Sequence, residues 1–237
     1  FSFLIIKKIN IRYICLITIV ALVLIILSNE RSSSIMFATS MLLFLTFCQV
    51  RLLFKFAILS FVLIFLSLLL NYNTQLKERF INEPAKYFKD NHHKAHFLTA
   101  IEIFKDNKIA GSGIKTFRVV CHNKKYENIK SIYYKDRCTT HPHNLYLEII
   151  SETGILGILI IISVNFYIAF QLTKGFFTKT KFRNEILFIF CNFFILFWPL
   201  QTTGSFFSSW NGVFYWLFFA FFFDFKKNIL TKKSIQM

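Results

Sequence analysis

His141-Pro142-His143-Asn144-Leu145-Tyr146-Leu147-Glu148-Ile149-Ile150-Ser151-Glu152-Thr153-Gly154-Ile155-Leu156-Gly157 opens an apolar run that continues to about residue 172. Two imidazoles and a proline stand at the mouth of a segment long enough to cross a bilayer, which takes roughly 20 apolar residues. Imidazole is the side chain whose unperturbed pKa suits proton transfer near neutrality. Pro142 disfavours a helical His141 and fits a first turn, so the helix starts near Pro142 or Asn144, with Asn144 as a cap. Its free N–H groups would form an anion site beside His143. Glu148 and Glu152 share one helix face, where carboxylates inside a span mark a water-filled cavity or an ion partner. Gly154 and Gly157 suit close packing of helix on helix.

Apolar residues make up 55% of the 237, with 33 Phe, which excludes an ordinary water-soluble domain. Apolar runs at 11–28, 34–50, 52–71, 186–203 and 210–225 join 145–172 as predicted spans. The expected fold is an all-α polytopic transmembrane bundle. Three helices occupy 1–71, a long outer loop with short helices 72–144, three further helices 145–225, and a basic cytoplasmic tail 226–237.

The formal net charge is +16. Lys7, Lys8 and Arg12 precede the first span, and Arg51 and Lys55 lie between the second and third. Lys174, Lys179, Lys181 and Arg183 lie between the fourth and fifth, and Lys226, Lys227, Lys232 and Lys233 follow the sixth. Alternation puts these groups on one side, which the positive-inside rule makes cytoplasmic. The 72–144 segment and the His143 motif then face outward. That loop is also net basic, which favours an anionic substrate such as a lipid diphosphate over nucleic acid. Residue 1 is Phe, and no secretory signal precedes the first span, so further spans are expected upstream of this chain.

Cys15, Cys48 and Cys191 fall within predicted spans and read as small apolar residues. Cys121 and Cys138 share the outer loop, either as a disulfide or as two separate thiols. His92 and His96 are spaced to share a helix face, but no third metal ligand follows at typical spacing, so no metal is expected. Residues around Ala100–Phe104 form a short amphipathic helix. Gly111-Ser112-Gly113 is a turn where the backbone can approach a ligand, or a plain structural turn. Arg118 either grips phosphate oxygens or is a solvated cation. Arg31, in Asn29-Glu30-Arg31-Ser32, closes the outer end of the first hairpin, facing a substrate or pairing with Glu30.

These residues resemble the bacterial O-antigen ligase and O-antigen polymerase superfamily. Its signature is a His followed by Asn, Ser or Gln, nine variable residues, a Gly, two more residues and a small or polar one. His143-Asn144, Leu145 to Thr153, Gly154 and Gly157 satisfy it. Ile103-Phe104-Lys105-Asp106-Asn107, leading into the Gly-Ser-Gly turn and Phe117-Arg118, resembles the loop before that signature. Pro199 through Gly204-Ser205-Phe206-Phe207 and Trp210-Asn211 resembles the family's last helical hairpin. The resemblance covers nearly the whole chain as the C-terminal part of a longer protein.

It implies a metal-independent, cofactor-free glycosyltransferase in the bacterial inner membrane, with its active site facing the periplasm. The donor would be a glycan on undecaprenyl diphosphate, and the acceptor a lipid A core or a growing glycan. Ligation is the leading reading; polymerisation and transfer to a protein hydroxyl share its chemistry. A non-catalytic transporter or lipid-binding scaffold is the rival from another class. The resemblance makes His143 the essential histidine and Arg31 the short-loop arginine. The family's loop arginine, four residues before a Trp, is replaced by His93 before Phe97. Arg79 and Arg118 are alternative cations. Membrane lipids surround the spans. His141, Asn144, Glu152, Gly111 and Gly113 complete the expected substrate contacts.

Overall fold

The computed structural model describes residues 11–28, 30–49, 51–82, 91–178 and 183–227. Lys7, Lys8, Asn29, Lys179, Lys181 and residues 228–237 of the expected basic tail lie outside the described residues, as does the side chain of Cys15. Among the described residues the secondary structure is helical, with no strand. Helices stand at all six predicted spans: α1 Ile11–Leu27, α2 Arg31–Phe47, α3 Leu52–Tyr72, α5 Leu145–Phe177, α6 Arg183–Phe197 and α7 Ser209–Phe225. Between α3 and α5 lies α4, His92–Asp106.

Among the described residues two helices, Lys55–Tyr72 within α3 and Leu145–Phe177, are long and apolar enough to cross a membrane. They are mostly uncovered: only 6% of the apolar window in α3 is buried, and 28% of that in α5. The core helix of a water-soluble fold would be covered instead. α2 is apolar but shorter.

Both ends of α2, the end of α5 and both ends of α6 differ from the expected boundaries by three residues or more, and two of these have a local cause. α2 begins at Arg31 rather than residue 34, because Ser34 satisfies its hydroxyl on the Glu30 carbonyl at 2.7 Å. Thr39 and Thr46 bond back to Ile35 and Leu42 in the same way, which lets hydroxyl residues sit in an apolar helix. α6 stops at Phe197 rather than 203, because Pro199 disfavours a helical Trp198 and has no N–H to give.

The chain divides into two compact units. One comprises 1–85, 169–196 and 229–237. Its core packs Leu45, Cys48, Ile58, Leu187 and Cys191 together, and a second cluster joins Leu22 and Ile26 to Leu76. Lys55 reaches the Thr46 carbonyl at 3.0 Å, so its charge rests on the carbonyl end of α2. Arg31 donates to the Arg79 carbonyl at 3.4 Å.

The other unit comprises 86–168 and 197–228. Asn91 caps α4 by accepting from the Lys94 N–H at 2.8 Å. One face of α4 buries Ala100 and Ile103 against Phe117, Cys121 and Tyr126. A disulfide joins Cys121 to Cys138.

α5 is interrupted at Gly154, where φ is 66° and ψ −160°. The groups freed by the break are taken by the loop before it. Ser112 and Gly113 N–H groups donate to the Ser151 and Glu152 carbonyls at 3.0 and 2.9 Å. Ile155 and Leu156 N–H groups donate to Lys108 and Ile109 at 2.8 and 3.4 Å. A Cβ on Gly154 would lie 2.3 Å from the Ile109 carbonyl oxygen, and one on Gly111 2.2 Å from the Glu152 carbonyl carbon. The close approach that Gly154 permits is therefore to a loop, not to another helix. Gly154→Ala meets an unfavourable φ and a backbone carbonyl that cannot rotate away. It is expected to lose about 2 kcal/mol or more of stability, seen as a lower thermal midpoint in detergent.

Candidate functional site

The start of α5 organises this unit through side chains that reach outward. The Asn144 Oδ1 accepts from the Tyr146 and Leu147 N–H groups, both at 3.1 Å, as a helix cap should. Its Nδ2 donates to the Pro199 and Gln201 carbonyls at 2.7 and 3.3 Å. Two of the N–H groups expected to bind an anion are therefore occupied by the cap, and Asn144, expected as a substrate contact, holds the chain after α6.

The chain after α6 crosses this helix start as a strap. Carbonyls of every second residue, Phe197, Pro199, Gln201 and Thr203, accept from Tyr146, Asn144, Asn144 and His141 respectively. His141 uses Nε2 toward Thr203 at 3.0 Å and Nδ1 toward the Thr140 hydroxyl at 2.9 Å. A carbonyl can only accept, so Nε2 carries the proton and Nδ1 accepts. Thr203 returns its N–H to the His143 carbonyl at 2.9 Å. That bond helps hold His143 at φ 55°, a left-handed conformation that non-glycine residues rarely adopt.

Each glutamate clamps a different loop. Glu152 accepts from the Lys115 and Phe117 N–H groups at 2.6 and 3.1 Å. Glu148 accepts from the Ser205 hydroxyl and, at 2.7 Å, from the Phe206 N–H. Both residues are 1% exposed. Their hydrogen-bond partners are backbone and hydroxyl donors, and the Arg118 charge acts on both. Glu152, expected as a substrate contact, anchors a loop in the structure. Gly111 likewise presses on α5, and Gly113 continues the same docked turn.

Four imidazoles gather beside this helix start. The His143 ring centre lies 4.3 Å from His141, 5.2 Å from His93 and 5.4 Å from His96. Burial, then the neighbouring His141, His93 and His96, lowers the His143 pKa to about 4. Burial also lowers those of His96 and His141, with Arg118 adding to the effect on His141. His143 therefore departs from the near-neutral titration expected of it; it is an uncharged imidazole at pH 7. Its Nε2 is 3.5 Å from the Thr139 hydroxyl, long for a hydrogen bond.

His92, spaced to share a helix face with His96, meets Asp136 at 3.2 Å and lies tilted against Tyr133. Arg118 is exposed, while Arg31 and Arg79 belong to the first unit.

The cluster draws on His96, noted in the sequence only for its spacing from His92, and on Arg137, which the sequence did not single out. His96 is buried, with Nδ1 on the Arg137 carbonyl at 3.2 Å. Its i, i+3 spacing from His93 was the available signal. Arg137 is 8% exposed and had no signal beyond its place beside Cys138.

The motif, the break at its glycine and the docked loop lie within one match. The O-antigen ligase family model matches residues 16–162. The chain belongs to the O-antigen ligase family. No curated protein and no solved structure matches it. Membership in the O-antigen ligase family gives a ligase- or polymerase-type function and a membrane association that the two long apolar helices fit.

Two outcomes follow for this unit. Glu152→Gln or Glu148→Gln sets an amide N–H₂ against an N–H donor and is expected to lose about 1–3 kcal/mol, read by denaturant unfolding. Three imidazoles have folded pKa values below the ordinary 6.5, so the unfolded chain binds protons first as pH falls. Their contribution is fully present above pH 6.5 and declines as pH drops from 6.5 toward 4. Thermal midpoints across that window should fall with pH, and less steeply in His143→Gln.

Proposed function

We propose that this protein is an O-antigen ligase-like glycosyltransferase. It moves a glycan from undecaprenyl diphosphate to a hydroxyl of a lipid A core, at the periplasmic face of the bacterial inner membrane, as a multi-pass protein. The observation that supports this reading most is the uncharged His143, set in a left-handed conformation among three other imidazoles at the start of α5.

In the proposed reaction the acceptor oxygen attacks the anomeric carbon as the bond from that carbon to the diphosphate oxygen breaks. The hydroxyl proton passes to His143, and the diphosphate leaves with the bonding electron pair. A buried imidazole with pKa about 4 is by itself a weak base. An arriving diphosphate anion favours the imidazolium and raises that pKa, so donor binding strengthens the base. Arg118 is exposed and can pair with the diphosphate oxygens as charge develops there.

His143→Ala is expected to reduce transfer by roughly 10²–10⁴-fold. Normal amounts of inserted protein with unaltered transfer would remove His143 from the reaction. Surface polysaccharide from cells lacking the protein separates the outcomes. Core without attached O-chain supports ligation, single-unit chains support polymerisation, and unaltered glycans overturn both. Arg118→Gln should lower transfer by about tenfold or more, with the loss concentrated in donor use.

A further inference from the structure

Arg137 belongs to no motif of the chain, yet it is a buried cation with every part of its guanidinium engaged. Nε donates to the Cys121 carbonyl at 3.0 Å, Nη1 to Tyr134 at 3.3 Å and Nη2 to the Glu127 carboxylate at 3.2 Å. Its neighbour Cys138 is bonded to Cys121, so the same two stretches of loop are joined twice, once by sulfur and once by Arg137. A charge buried this way is stable only while its partners stay in place. The frame that surrounds Arg137 therefore fixes its backbone as well as its side chain.

That backbone ends on the imidazole cluster. The Arg137 carbonyl accepts from the His96 Nδ1 at 3.2 Å, which sets the proton on Nδ1 and fixes the ring plane. The His96 ring centre is then 5.4 Å from that of His143. His96 is buried, and its ring stands on one side of His143, with His93 at 5.2 Å on the same helix.

We infer that Arg137 and His96 are positioning residues for His143: the Arg137 carbonyl fixes the His96 ring, and that ring orients His143 and screens it from water. The inference rests on the proposed role of His143 and adds two residues that act through it rather than on substrate. The titratable groups facing His143 are His93 and His96 from α4 and His141 from its own segment; no carboxylate is among them. Screening by these rings keeps the His143 lone pair uncharged until an anionic donor arrives.

The test uses the full chain in detergent, with labelled histidine and the His143 resonances assigned by comparison with His143→Gln. His96→Asn retains a side-chain N–H for the Arg137 carbonyl but removes the far half of the ring. Water then reaches His143, and its titration midpoint should rise toward 6.5 by about one unit or more. Arg137→Lys releases the loop frame and should move the midpoint in the same direction. His122→Asn, at an exposed position, should move nothing. In a transfer assay, His96→Asn should lower kcat on the order of 10- to 100-fold while KM for the donor stays within about twofold.

A merely structural role would lower thermal midpoints and yields but leave the titration of folded protein where it was. An unaltered His143 midpoint in folded His96→Asn and Arg137→Lys overturns the inference. Absence of transfer by the unsubstituted protein would count against the proposed function, and the titration would still decide the positioning role.

Discussion

A carboxylate buried beside an apolar helix has to find hydrogens, and Glu148 and Glu152 find theirs in two different loops. Leaving either group unpaired would cost several kcal/mol, far more than one ordinary hydrogen bond returns. Because they sit one turn apart, their partners must converge on the same part of α5. The Lys115–Phe117 turn arrives from the preceding loop and Ser205–Phe206 from the strap after α6. His143 lies just before this turn. The position of the imidazole is thus a by-product of satisfying two buried acids.

The surrounding polar groups complete one another with little left over. Asn144 caps its own helix and holds the strap, His141 commits both nitrogens, and the broken helix at Gly154 exchanges main-chain bonds with residues 108–113. Side chains occupied in this way build the frame of the site. The His143 ring is different, since its Nε2 lies 3.5 Å from the Thr139 hydroxyl, long for a hydrogen bond. In the proposed reaction the base is His143, and Arg118, which is exposed, meets the diphosphate.

Much of this was legible in the residues. Apolar runs located the helices, Pro142 and Asn144 located the start of α5, and two cysteines in one loop pointed to their bond. What escaped was long-range choice of partner. Gly154 announced a close approach, but nothing near it said that the Gly111 turn would be what approached. Glu152 announced a buried charge without revealing that Lys115 and Phe117 would supply the N–H groups. Pro199 did carry a local signal for the end of α6, and the apolar run through it outweighed that signal. Arg137 became meaningful only through Cys121, Glu127 and His96, which are distant in sequence.

The interruption at Gly154 also divides α5 into a short part and a long one. Below it, Ile155–Phe177 would extend about 34 Å as a helix, close to the ~30 Å thickness of a bilayer's oily slab. If that portion fills the slab, the short upper portion stands among lipid headgroups, in a milieu that tolerates acids. Glu148 and Glu152 would then never enter oil at all. The glycine would serve as a waterline, with a dry stem beneath it and a wet platform above.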